Sequence, residues 1–149
     1  MDFLLIFIRM QKKSCDVLAN IKTNNFLPYA LAAMYAKKNN LDDCILLNNP
    51  ERICDTSVAN IFIIKDKNIF TPPLTEGCIA GVMRRWVIEK IEIEGNAVIE
   101  KPLSIEGLKQ ADEVFLTNSI HPIRWVKQFQ NIQYANEKVQ VIYDELAKS

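Results

Sequence analysis

Residues 60–73 read NIFIIKDKNIFTPP. Two runs of β-branched and aromatic residues flank a polar break around Asp66 to Asn68, the pattern of two strands folded back on each other. Such a pair is antiparallel, so no arrangement of uniformly parallel strands can accommodate this chain. The rest of the sequence has to be fitted around that hairpin.

Upstream, Asn24 and Asn25 offer N-caps for a helix that tolerates Pro28 in its first turn. Leu27, Ala30, Leu31, Met34 and Tyr35 then recur at helical spacing. Lys37 and Lys38 suit its negative end, and NNL closes it. CILL reads as a buried strand and NNPER as a turn. Beyond the hairpin, a helix is expected from Gly81 to about Ile91. A turn at Gly95-Asn96 and a strand at AVIE follow. Ser104 caps a short helix ending near Gln110, and EVFLTNS is strand-like. A last helix carries Val139, Ile142, Tyr143 and Leu146 on one face. Strands and helices interleave without a strict βαβ rhythm, and there is no Gly-x-Gly-x-x-Gly or Walker sequence. The expected class is therefore α+β, with a mixed or antiparallel sheet that can curl into a barrel.

The chain has 149 residues, about half of them apolar (49%), enough for one domain over residues 1–149. Eighteen basic and eighteen acidic residues cancel, so no broad basic surface for nucleic acid is expected. The cysteines (Cys15, Cys44, Cys54, Cys78) lie far apart and His121 is the single histidine, which speaks against a zinc site. Reduced cysteines in a cytoplasmic protein are expected. The apolar run at residues 3–8 is too short to span a bilayer, and Asp2 is the wrong charge for a signal peptide; a buried strand fits it better, and no membrane partner is expected.

One stretch stands apart. In TEGCIAGVMRRWVIEK, residues 75–90, Gly81 sits where a loop becomes an apolar, basic helix. Bare backbone at a helix start suits a bound anion; taken alone, Gly81 also serves an ordinary tight turn.

Four segments in order resemble the fold-type IV pyridoxal-phosphate enzymes: KTNNFL (22–27), ICDTSVANIFII (53–64), TPPLTEGCIAGVMRR (71–85) and ADEVFLTNSIHPIRWV (111–126). This is the class-IV aminotransferase group, which includes branched-chain and D-amino-acid aminotransferases and 4-amino-4-deoxychorismate lyase. The resemblance covers roughly residues 15–145 and corresponds to the family's larger, C-terminal domain. It implies the fold of that domain: α+β, a curled sheet forming a pseudo-barrel, with surrounding helices. The family's smaller N-terminal domain, which supplies a phosphate-binding arginine and part of the substrate pocket, has no counterpart in the 149 residues.

The resemblance assigns roles residue by residue. Lys22 matches the lysine that forms a Schiff base with pyridoxal 5'-phosphate (PLP) and shuttles a proton. Alone it would read as a solvated lysine before a helix cap. Asp55 stands where the family usually has a glutamate paired with the protonated pyridine nitrogen; it is one methylene shorter, and alone would read as a turn residue. Gly81 opens the helix whose first amides, here Val82 and Met83, hold the phosphate and leave those side chains to face the core. Ser119 matches a hydroxyl that also binds phosphate, and Ile79 an apolar residue against the pyridine face. Thr117 and Asn118 line the pocket or simply form a strand-end turn. His121 faces the substrate or is a surface histidine. Arg84 and Arg85 are read as solvated or paired with nearby acids.

Within the family, Gly-Val-Met-Arg and TNSIHPIRWV lean toward the lyase, which eliminates pyruvate to leave 4-aminobenzoate, a folate precursor. An aminotransferase of branched-chain or D-amino acids would use the same lysine and the same sink, and an inactive domain remnant is the third alternative. Asp55 for Glu, Ala80 for Pro or Asn and Trp125 for Pro depart from the family pattern. The family's enzymes are usually dimers, so a homodimer or other self-association is expected. The apolar segment DFLLIFI is the expected place for it, as a strand seeking an edge.

Overall fold

The computed structural model describes residues 4–24 and 26–148, with side chains described from residue 12 onward. Twelve strands are present among the described residues: β1 (Leu4–Lys13), β2 (Asp43–Asn48), β3 (Ile53–Thr56), β4 (Asn60–Lys65), β5 (Asn68–Thr71), β6 (Glu92–Ile93), β7 (Asn96–Ala97), β8 (Ile99–Glu100), β9 (Glu113–Thr117), β10 (Arg124–Trp125), β11 (Gln128–Phe129) and β12 (Ile132–Gln133). The helices are α1 (Leu27–Lys38), α2 (Val82–Lys90), α3 (Ile105–Lys109) and α4 (Glu137–Lys148).

The strands form two five-stranded sheets, ordered β12-β11-β1-β2-β3 and β10-β9-β4-β5-β8, and a small β6-β7 ribbon. The hairpin read from residues 60–73 is β4-β5, antiparallel with Lys65 opposite Asn68. Asp66 takes a positive φ of 54° in its two-residue turn. Both large sheets are mixed: β1 runs parallel to β2 and β11, and β5 runs parallel to β8. The α+β expectation is met. The expected curling into a pseudo-barrel is not seen, because among the described residues the strands divide between two sheets and neither closes.

Alternation along the strands explains the layering. Ile45, Leu47 and Ile53 of the first sheet pack with Ile61, Ile63, Val114 and Leu116 of the second, forming a core between the sheets. The opposite face of the first sheet offers Cys44, Leu46 and Cys54 to Ala32 and Ala36 of α1. The opposite face of the second offers Phe62, Ile64 and Phe115 to Val87 of α2 and to Val139 and Ile142 of α4. Central strands are thus buried on both sides, which is why the middle of β2, Cys44 to Leu47, reads as an apolar run. The facing pair Phe62 and Phe115 stacks across β4 and β9 with ring centroids 4.9 Å apart.

Several local readings change. The N-cap of α1 is Phe26 and no side chain caps it, so Asn24 does not serve; Asn25 lies outside the described residues. The face of α1 read from its large apolar residues is not the buried one. Ala32 and Ala36 touch the sheet, while Leu27 and Met34 are exposed. Small residues let the helix axis approach the strands closely, with Tyr29 and Tyr35 packing beside them. From Leu4 onward the run DFLLIFI does not lie at an edge: the backbone of β1 is flanked by β11 and β2, while Asp2, Phe3 and the side chains of the run lie outside the described residues. No described helix is long and apolar enough to cross a membrane.

Candidate active site

The chain passes from the first sheet to the second between β3 and β4, and the candidate site is built at that crossing. Asp55 lies in β3 and Asn60 opens β4. Asp43 braces the crossing, its Oδ1 accepting from the backbone N–H and the hydroxyl of Ser57 at 2.9 and 2.5 Å.

Asp55 is 1% exposed, and its carboxylate is held from several directions. Oδ2 accepts from the Tyr29 hydroxyl at 2.7 Å and the Ile79 amide at 2.9 Å. Oδ1 accepts from Asn60 Nδ2 at 2.9 Å. Lys13 Nζ stands 3.5 Å from Oδ2. Burial pushes the Asp55 carboxyl up to about 6, against the opposing effects of Lys13, Tyr29, Ile79 and Asn60. Burial, and then the Asp55 charge, push Tyr29 far above the ordinary tyrosine value, so its hydroxyl stays a donor.

Asn60 joins this carboxylate to the start of α2. Its Nδ2 also donates to the Ile79 carbonyl at 2.8 Å. Its Oδ1 lies so close to Gly81 that a Cβ there would fall 2.2 Å away. Gly81 is the N-cap of α2, extended at φ −67°, and no side chain caps that helix. The first amides of α2, Val82 and Met83, have no partner within the helix. The glycine is therefore required for contact with Asn60, a reason the sequence did not show. The side-chain expectation at Val82 is corrected: Val82 is 69% exposed and does not face the core, while Met83 is half-buried. Of the two following arginines, Arg84 is buried, donating to the Pro72 carbonyl at 2.9 Å and pairing with Glu100, and Arg85 is exposed.

The segment before Lys22 is tied to the same loop. Asn20, two residues before Lys22, accepts from the Ala80 amide at 2.9 Å. Its side chain donates to the carbonyls of Leu74 and Cys78, both at 2.7 Å. The Lys22 segment thus runs beside the loop that carries Ile79 and Gly81, and Lys22 itself is exposed. Glu76 braces that loop from below, accepting from Arg52 and Asn48; the Arg52 guanidinium holds its carboxyl below the usual range. On the other side, Thr117 pairs with Asn60 across β9 and β4, and Asn118 Nδ2 donates to the Val58 carbonyl at 3.2 Å. Asn118 Oδ1 accepts from the Ile120 and His121 amides, the strand-end turn reading of that residue. Ser119 and His121 are exposed. Cys54 and Cys78 are buried beside Asp55, and Cys15 is exposed. Burial raises both buried thiols, Cys78 to about 12.

Lys13 and Tyr29 were missed by sequence reasoning. Lys13 follows Lys12 in QKKS and looks like half of a solvated pair. Tyr29 looks like one more apolar position of α1.

The family model for amino-transferase class IV matches residues 4–129. An aminodeoxychorismate lyase from Vibrio harveyi is 36% identical over 104 residues, covering 70% of this chain and 38% of that protein. A putative branched-chain-amino-acid aminotransferase from Methanocaldococcus jannaschii is 32% identical over 115 residues, covering 76% of this chain and 40% of that protein. The crystal structure of a putative 4-amino-4-deoxychorismate lyase from Legionella pneumophila superposes with a TM-score of 0.91 at 27% identity, over 99% of this chain and 56% of that one. The chain spans about half the length of these relatives, or less. By sequence and by fold, the chain belongs to the class IV aminotransferase family.

Proposed function

We propose that these residues hold PLP and that the chain is the cofactor-binding part of a lyase acting on 4-amino-4-deoxychorismate. The single observation that carries the reading is the bridge made by Asn60. One side chain contacts the carboxylate of Asp55, the carbonyl of Ile79 and the glycine that opens α2. A carboxylate for a ring nitrogen and free amides for a phosphate are thereby fixed relative to each other.

The donor set suits the cofactor. Asp55 Oδ1 accepts one protein hydrogen bond and keeps an acceptor direction for a pyridinium N–H. The Val82 and Met83 amides, with the helix dipole behind them, suit a phosphate, and the Ser119 hydroxyl is a further donor. Ile79 supplies apolar surface for a ring face. Lys22 Nζ is the amine to bind the aldehyde and then to take and return a proton. PLP, when bound, supplies an electron sink for the bond-breaking step. The reaction converts the substrate to pyruvate and 4-aminobenzoate. The identity to the Vibrio harveyi lyase and the Gly-Val-Met-Arg sequence at α2 support the lyase. The Methanocaldococcus jannaschii relative favours the second reading, an aminotransferase.

The proposal extends to organisation. Residues 1–149 form one domain, and the phosphate-binding arginine and the rest of the pocket come from outside them, from a small domain of the family's N-terminal type. Without those parts, residues 1–149 should bind PLP weakly and turn over little. A cytoplasmic site of action accords with three buried, reduced cysteines.

The test is PLP titration followed by visible absorbance. A band from lysine-linked PLP is expected in the wild type and absent in Lys22→Ala. An identical band in Lys22→Ala overturns the assignment. Pyruvate release from aminodeoxychorismate supports the lyase. Glutamate formed from an amino acid and 2-oxoglutarate supports the aminotransferase instead.

A further inference from the structure

We propose, resting on the cofactor reading above, that Lys13 is a positioning residue whose ammonium holds the Asp55 carboxylate in place and charged for the ring nitrogen of the cofactor. Lys13 ends β1 and is 6% exposed. An ammonium has three hydrogens, and three acceptors surround this one. The Ala19 carbonyl accepts at 2.9 Å, the Gly77 carbonyl accepts as well, and Asp55 Oδ2 lies at 3.5 Å. The ammonium also lies over the Tyr29 ring, 4.8 Å from its centroid. Each acceptor belongs to a different part of the site. Ala19 is in the segment leading to Lys22, Gly77 is in the loop leading to Ile79, and Asp55 is in β3. One side chain therefore ties the three together.

Charge gives the tie its function. A buried carboxylate with no cation nearby takes up a proton. A protonated Asp55 cannot pair with a pyridinium. The titratable groups facing Asp55 are Lys13 from β1, Tyr29 from α1, Cys54 beside it in β3 and Cys78 from the loop after β5. Burial keeps the phenol and both thiols neutral, so among the described residues Lys13 is the one cation of the set.

The test uses ligand-free protein, so it does not depend on the cofactor reading. Aspartate carboxyls are labelled with carbon-13 and titrated by NMR, with Asp55 identified by its loss in Asp55→Asn. The wild-type midpoint is expected near 6. Lys13→Met should raise it by about one pH unit or more, and Lys13→Arg should leave it within about 0.3, since a role confined to packing would not sort these variants by charge. An unmoved midpoint in Lys13→Met, or an equal rise in Lys13→Arg, overturns the proposal. Should Lys13→Met not fold, the Lys13→Met/Asp55→Asn double variant decides: folding supports the charge pairing, and failure where Asp55→Asn alone folds overturns it. Loss of the PLP band test with a normal titration would instead sink the cofactor reading and leave Lys13 as the partner of Asp55.

Discussion

Asn60 and Gly81 occupy one another's space. A Cβ on residue 81 would sit 2.2 Å from Asn60 Oδ1. That amide cannot swing away freely, because its Nδ2 is bound to Asp55 and to the Ile79 carbonyl. Gly81→Ala should therefore cost ~2 kcal/mol or more in urea unfolding. It should also weaken PLP binding, since the displaced amide releases Asp55. Asp55 itself should give the ligand-free chain a distinctive pH dependence. Its folded value of about 6 lies above the ordinary 3.8, so the folded state holds the proton more tightly. Its stabilising contribution is full below the lower value and is lost as pH rises through about 6, amounting to ~3 kcal/mol. From about pH 4.5 to about pH 7.5, Asp55→Asn should lose ~2 kcal/mol less unfolding free energy than the wild type. Individual residues were unevenly legible. Lys22, Asp55 and Gly81 stand in ordered segments with a recognisable spacing. Lys13 carries no such mark: Lys12 beside it is exposed while Lys13 is buried. The difference arises only from alternation on a strand whose register the sequence does not display.

Elements were more legible than their orientation. β2, the β4-β5 hairpin, α2 and α3 lie where pattern and caps put them, and Ser104 Oγ does accept from the Gly107 amide of α3. The apolar rows of α1 misled, because the surface that fits against the sheet is made of alanines and tyrosines, with Leu27 and Met34 left exposed. Helix α4 depends on a group far away in sequence. Glu113 of β9 accepts from the Lys138 and Val139 amides at 3.0 and 2.9 Å, capping α4 across the fold. Glu113→Ala leaves the buried Val139 donor and the half-buried Lys138 donor without a partner and should cost ~2 kcal/mol. Hydrogen exchange at the Lys138 and Val139 amides should then rise well beyond the global change. Equal acceleration throughout the chain would count against a local cap. No sequence rule finds such a cap, since the acid and the helix are joined only when β9 and α4 pack together.

At the scale of the molecule, two stacked sheets between α1 on one side and α2 and α4 on the other bury the apolar half of the composition. The sequence conveyed a mixed or antiparallel sheet, but not that the strands would split into two sheets. That division depends on the short crossing between β3 and β4. Some apolar surface stays outside: Leu18, Ile21, Phe26, Val58, Val82 and Ile120 are exposed, each within a few residues of a site segment. Surface of this kind is normally covered. Light scattering on a sizing column should show concentration-dependent self-association of the chain, and Val82→Glu should reduce it; a monomer at high concentration would count against this. The distribution of sulfur has a practical corollary. Cys44, Cys54 and Cys78 are buried and only Cys15 is exposed, two residues past Lys13 and with its thiol against the Glu76 carbonyl. A thiol-reactive dye should therefore label the native chain at one address and reach four only after unfolding. The molecule comes with a built-in attachment point for a fluorescent reporter, set beside the loop that leads to Lys22.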